Sequence, residues 1–272
     1  MLSLSPLTVL PCSPLEQIEA AAAAQFDAVG IRLVPVLSTD IDVMKDAALQ
    51  RSIVRALAAI NMPVLEIEVV RVGPDTDVRE FEPLLQFGAD IGARNLAVTA
   101  LPRAEYRKSD DARLAQRLAA LGDLAMRYRI RPMIEFMVFR GIATIEDAQR
   151  LIGLAGHENL GICVDALHLQ RSGGSPASLR GIDPESICCV QLCDASAVAP
   201  PVEEIPKEAR FGRLYPGEGG LPLGELLAAV PPDIPLSVEV PCVARTDWTV
   251  SQRALHAGET ARRLIERVRG ST

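Results

Sequence analysis

Along the chain, short apolar runs alternate with longer segments in which apolar residues recur every three or four positions. The first run is "LSLSPLTVL" from Leu2, followed by "SPLEQIEAAAAAQFDAV", where Ser13 can cap a helix and Pro14 sits at its first turn. "IRLVPV" then reads as a second strand, and a helix from about Met44 to Ile60 leads to "VLEIEVVRV". The helix "REFEPLLQFGADIGA" ends near Gly92 and feeds "NLAVTAL"; the long helix "SDDARLAQRLAALGDLAMRY" precedes "RPMIEFMVF". "TIEDAQRLIGLAG" opens on Thr144, with Asp147 at capping-box spacing. The last strands are "LGICVDAL", "ICCVQLCD" and "PLSVEV", with "LPLGELLAAV" before the third and "VSQRALHAGETARRLIERV" closing the chain.

Near-continuous apolar strands separated by amphipathic helices predict a parallel sheet covered on both faces. About eight such units in 272 residues predict an α/β chain folded as a single (β/α)8 TIM barrel spanning 1–272. The longest irregular stretch, "DASAVAPPVEEIPKEARFGRLYPGEGG", has the length of a functional loop or lid.

Composition narrows the function classes. A hydrophobic content of 49% is ample for a large core, and a net charge of −7 argues against nucleic acid or an anionic membrane as partner. The arginines of the last helix, Arg262, Arg263, Arg267 and Arg269, read as a solvated face. No run approaches the roughly 18 apolar residues of a membrane helix, and the N-terminus lacks a signal-peptide pattern, so a cytoplasmic location is expected. The 6 cysteines include no CxxC pair and lie mostly in strand-like runs, which predicts buried, reduced thiols. The expected partner is a small-molecule substrate, and a homo-oligomer is compatible with the sequence.

The candidate chemistry lies at the C-terminal strand ends, where barrels of this kind place their sites. Glu135 in "MIEF", Asp165 in "CVDALH", Gln191 in "VQLCD" and Glu239 in "SVEVP" come from four successive strands. Three converging carboxylates with no lysine among them repel one another, and a divalent cation resolves the repulsion. Two Glu, one Asp and one Gln oxygen form a hard ligand set, so Mn²⁺ or Mg²⁺ is the expected cofactor. His168, three residues past Asp165, is positioned to reach a substrate oxygen above the metal. Arg171, Arg210 and Arg213 are candidates for a substrate phosphate or carboxylate. Glu66 and Glu68 share one strand face, where a packed ion pair is the expected role. Trp248 either covers the site or packs on the last helix, and His157 and His256 have no assigned role.

The motifs "IEF" at Glu135, "VDALH" at Asp165 and His168, "VQLCD" at Gln191 and Asp194, "RLYPGEGGLPL" from Arg213 and "SVEVP" at Glu239 resemble the xylose-isomerase-like barrels of sugar-phosphate isomerases and epimerases. The resemblance covers essentially the whole chain. It implies that Glu135, Asp165, Gln191 and Glu239 bind the metal, that Glu135 and Glu239 double as acid and base, and that His168 binds substrate. Gln191 stands where ketose epimerases usually have His, and it is similar instead to the 3-dehydroshikimate dehydratase branch. Three His in total cannot build the trinuclear zinc site of the endonuclease branch. The expected function is therefore isomerisation or epimerisation of a small polyhydroxy ketone or its phosphate through an enolate, and the alternative is dehydration of a cyclic hydroxy-ketone such as 3-dehydroshikimate or an inosose. A third possibility, a barrel that binds without turnover, is disfavoured by retention of both Glu, Asp165 and His168.

Overall fold

The structure is a computed structural model and describes residues 1–270. Eight parallel strands close into a barrel in chain order: β1 (Leu2–Leu4), β2 (Ala28–Arg32), β3 (Val64–Val72), β4 (Asn95–Ala100), β5 (Arg131–Glu135), β6 (Gly161–Asp165), β7 (Ile187–Leu192) and β8 (Leu236–Val238). The helices between them are α1 (Pro14–Ala23), α2 (Ala47–Ile60), α3 (Glu82–Asp90), α4 (Asp111–Met126), α5 (Ile145–Ala155), α6 (Ala166–Arg171), α7 (Ile205–Phe211), α8 (Leu223–Ala228) and α9 (Val250–Arg269). The (β/α)8 barrel expected from the alternation is the observed fold.

Local chemistry sets the helix starts. Ser13 and Glu16 form a reciprocal capping box with Pro14 in the first turn of α1, and Thr144 Oγ1 accepts from Asp147 N at the start of α5. The strand expected at "IRLVPV" begins earlier, at Ala28, because α1 ends at Ala23 and leaves "AVGIR" to pair with β1 and β3.

Two apolar layers result. Leu, Ile and Val from the outer strand faces pack against the helices in one continuous core, as with Ile67, Leu96, Ile134 and Val164. Inside the barrel, a smaller cluster of Ala28, Leu65, Ala97, Met133, Cys163, Cys188 and Cys189 fills the lower part. Strand register places Asp165 beside Gln191, and Gln191 beside Ser237, so the polar ends of β6, β7 and β8 reach the same level.

Candidate active site

A cavity opens at the C-terminal end of the barrel, enclosing about 700 Å³ of non-atom space when its open mouth is included. Glu135, Gln191 and Glu239 line it, together with His168, Arg210 and Arg213 from the sequence-predicted set. Asp165 is fully buried immediately beneath it. Its Oδ1 accepts from His168 N at 2.9 Å and so caps α6, while its Oδ2 takes Arg213 Nη1 at 2.5 Å.

Arg213 changes the electrostatic picture drawn from sequence. It was expected at the substrate, yet the guanidinium is 2% exposed and bridges Asp165 to Glu239, with Nη2 3.2 Å from Glu239 Oε2. Its Nε also donates to Ala209 O at 2.9 Å. The acids of this floor are therefore partly neutralised by a fixed cation. Glu135, Asp165 and Glu239 against one Arg213 still leave two formal negative charges when all are ionised. Glu68 is partly offset by Arg32, whose Nη2 pairs with it at 2.8 Å while Nη1 holds Asp40 at 3.1 Å.

Burial raises the Glu135 carboxyl well above its ordinary range, and the nearby charges of Glu239 and Asp165 push the same way. Burial also lifts Glu239 to about 7, although Arg213 opposes the shift. Asp165 behaves differently: burial would raise it, but the Arg213 charge, His168 and their hydrogen bonds hold it below the ordinary value. His168 is pushed down to about 4, mainly by burial, so its ring is neutral at physiological pH.

These donors fit a divalent cation. Among the described residues, Glu135, Asp165 and His168 present ligand atoms within 4.8 Å of one another. This grouping adds His168 to the geometry expected from sequence. Gln191 donates its Nε2 to Glu239 Oε1 at 3.3 Å, which leaves its Oε1 buried without a partner. A buried carbonyl oxygen without a hydrogen bond is costly. A hard cation between Glu135, Asp165, Gln191 and Glu239 would satisfy it and the residual charge together.

Arg171 stands apart from the other predicted residues. Its Nε and Nη2 grip both Glu208 oxygens at 2.8 Å, and Nη2 also donates to Ser196 O at 2.7 Å, tying α6 to α7 outside the residues that line the cavity. Trp248 likewise turns away, stacking near Tyr215 with 6.3 Å between centroids and meeting His256 of α9 edge-on.

Three residues at the cavity escaped the sequence reading. Arg32 at the end of β2 joins Glu68 and Asp40, whereas Arg71 and Arg140 line the mouth with Arg210. An arginine closing an apolar strand, as in "GIRLV", was the available signal for Arg32. The Arg140 and Arg210 guanidiniums lie 5.8 and 6.0 Å from the Phe139 ring centre.

A family model for the xylose isomerase-like TIM barrel matches residues 18–267. The chain belongs to that family. It is 29% identical over 242 residues to a 3-dehydroshikimate dehydratase of Pseudomonas aeruginosa, covering 83% of this chain and 36% of that protein. It is 24% identical over 161 residues to an inosose isomerase of Bacillus velezensis, covering 56% of this chain and 54% of the relative. The chain thus spans about a third of the curated dehydratase and about half of the isomerase. Among solved structures, the IOLI protein with a bound zinc atom superposes with a TM-score of 0.85 at 18% identity, over 98% of both chains, which shows the shared fold. Its named relatives are enzymes, and no helix among the described residues is long and apolar enough to cross a membrane.

Proposed function

We propose that the chain is a divalent-metal-dependent lyase that dehydrates an anionic cyclic hydroxy-ketone of the 3-dehydroshikimate type. One observation carries the anionic character of the substrate. Arg71, Arg140 and Arg210 line the mouth of the cavity, and none has a carboxylate or hydrogen-bond partner for its guanidinium among the described residues. Burial lowers the Arg140 pKa, and the charges of Arg71 and Arg210 lower it further, so both lie within electrostatic reach of Arg140. Unpaired cations gathered over an acidic floor are suited to a ligand with an anionic group at one end and a polar carbon skeleton at the other. The similarity to a protein named 3-dehydroshikimate dehydratase, and Gln191 in the ligand set, support the same reading.

When bound, the cation, here expected to be Mn²⁺ or Mg²⁺, supplies Lewis-acid stabilisation of charge on the substrate oxygen. The residues of the chain do the rest. Glu135 on β5 and Glu239 after β8 flank Asp165 and Gln191, so one carboxylate can take the proton beside the carbonyl and the other can protonate the departing hydroxyl. Neutral His168 offers a ring nitrogen to a substrate oxygen, with its Nδ1 buried and unpartnered. Arg213 holds Asp165 and Glu239 in place beneath.

The isomerase or epimerase reading on a sugar phosphate uses the same floor, and the similarity to an inosose isomerase favours it. Product absorbance separates the two, because only loss of water gives a conjugated product. With Mn²⁺ and 3-dehydroshikimate, absorbance growth is expected. Glu239→Gln and Glu135→Gln should each reduce kcat by about 10²-fold or more. Arg140→Met with Arg210→Met should mainly raise KM. No conjugated product, together with stereochemical exchange of a ketose phosphate, would replace the dehydratase by the epimerase.

A further inference from the structure

Beneath the acid floor lies a second layer of a different chemical character. Met133, Cys163 and Cys189 each precede by two residues a member of the site above: Glu135, Asp165 and Gln191. Side chains alternate along a strand, so residues two apart share the barrel-facing side, about 6.6 Å from each other along it. Register sets Cys163 directly against Cys189 across the β6–β7 pair. Their sulfurs stand 3.6 Å apart, and Cys189 Sγ donates to Met133 Sδ, also at 3.6 Å. All three side chains are at most 1% exposed. Ala28, Leu65, Ala97 and Cys188 complete the apolar packing around them.

We propose that this layer is a binding site for a sulfur-seeking monovalent cation, Cu(I), held by the thiolates of Cys163 and Cys189 and the thioether of Met133. Sulfur ligands about 2.3 Å from one ion stand about 3.8 to 4.0 Å apart at tetrahedral or trigonal angles, so both observed gaps lie within a few tenths of an ångström of a ligated arrangement. The donor set decides the metal. A thioether is a neutral, soft ligand that hard cations ignore, and thiolate with thioether selects Cu(I). The two layers therefore sort cations by softness, oxygen above and sulfur below.

Access comes from the cavity. Ala97 and Val69 line it and also pack against the sulfur cluster, so they connect the cavity wall to the sulfurs. Binding replaces two S–H bonds by two S–Cu bonds and releases two protons to solvent; copper and sulfur keep their oxidation states. The bound unit carries one net negative charge.

The test is anaerobic titration of the intact protein with Cu(I), supplied as its acetonitrile complex in competition with a chromophoric Cu(I) chelator, followed by X-ray absorption at the copper edge. One Cu(I) per chain is expected, with sulfur alone in the first coordination shell at about 2.3 Å. Cys163→Ala with Cys189→Ala should abolish this binding, and Met133→Leu should weaken it at least 10-fold. Cys12→Ala with Cys242→Ala, at the two half-buried cysteines, should leave it unchanged. No competitive binding by the parent, nitrogen or oxygen neighbours in its spectrum, or loss of binding with the Cys12 and Cys242 pair would each overturn the proposal. The parent spectrum and the conservative Met133→Leu variant decide the matter even where the double alanine variant fails to fold.

Discussion

Asp165 divides its two oxygens between folding and charge balance. One accepts from the backbone of His168 and starts α6; the other holds Arg213, which in turn reaches Glu239. Asp165→Asn retains an oxygen for the cap but turns an amide towards a guanidinium that is 2% exposed. Removing one partner of a buried ion pair costs roughly 3 to 5 kcal/mol, and Glu239 still holds Arg213, so chemical denaturation of the metal-free variant should show a loss towards the lower end of that range. A loss below about 1 kcal/mol would mean that Arg213 finds equivalent partners elsewhere. Glu66 provides a separate test, since its carboxyl is wholly buried and only Ser237 Oγ bonds it, at 2.9 Å. Burial, with the Glu68 charge, raises it from an ordinary 4.5 to about 8. The folded state therefore holds this proton across a range where the unfolded chain has released it. Its stabilising contribution is complete below about pH 4.5 and is lost as pH rises towards 8. Glu66→Gln should remove that decline, so the variant gains on the parent by a few kcal/mol between pH 5 and 8 in urea unfolding. Parallel pH profiles for the two proteins would refute a protonated Glu66. At this scale the sequence was most informative where an acid interrupts an apolar strand, as at Glu135, Asp165 and Glu239. It was least informative for arginines, whose long side chains reach several ångströms from their backbone: Arg171 turns to Glu208, and Arg213 turns inward.

The segment between β7 and β8 shows how an irregular stretch can position a buried group. Asp194 pairs through its backbone with Leu214 in both directions at 2.8 Å. Its carboxylate accepts from Ala195 N, Gly217 N and Leu221 N at 2.9 to 3.0 Å. This fastens the "PGEGG" turn, whose Gly217 has φ +88°, a conformation that a side chain would strain. Arg213 lies just before the fastened turn, so Asp194 positions Arg213 without touching the cavity. Asp194→Ala strands three amide donors and should cost roughly 2 to 4 kcal/mol, while Asp194→Asn should recover part of it. A tryptophan fluorescence change on unfolding would report it, since Trp248 stacks beside Tyr215 of the same turn. If Asp194→Ala unfolds with the parent midpoint, the turn is held by its backbone pairing alone. The spacing of apolar residues revealed β3 to the residue, Val64–Val72, and placed α5 and α9 within a residue at each end. It did not reveal α6 or α7, which are 6 and 7 residues long. Two turns are too short for a helical period to stand out, and Pro206 in the first turn of α7 reads as loop.

At the scale of the molecule, the closed barrel brings onto one face acids that lie more than 100 residues apart in the chain, from Glu135 to Glu239. Alternating strands and helices made that architecture legible, because a parallel sheet covered on both faces leaves few alternatives. The charge balance across the face was not legible, since it depends on Arg32 and Arg213 entering from loops and strand ends. A cation held between Glu135, Asp165, Gln191 and Glu239 would be bound by the folded state and not by the dispersed ligands of the unfolded chain. Binding therefore adds stability in proportion to the logarithm of free metal, about 2.7 kcal/mol at 100 times the dissociation constant. For a chain of this size that corresponds to a rise in Tm of roughly 5 to 10 °C. Mn²⁺ added to chelator-treated protein should produce this rise, and EDTA should reverse it. In Glu239→Gln the increment should shrink, because the variant withdraws one ligand charge while Arg213 stays in place. Metal-independent unfolding of the parent, with Mn²⁺ well above millimolar, would mean that Arg213 alone balances the acids and that the orphaned Gln191 oxygen faces substrate instead.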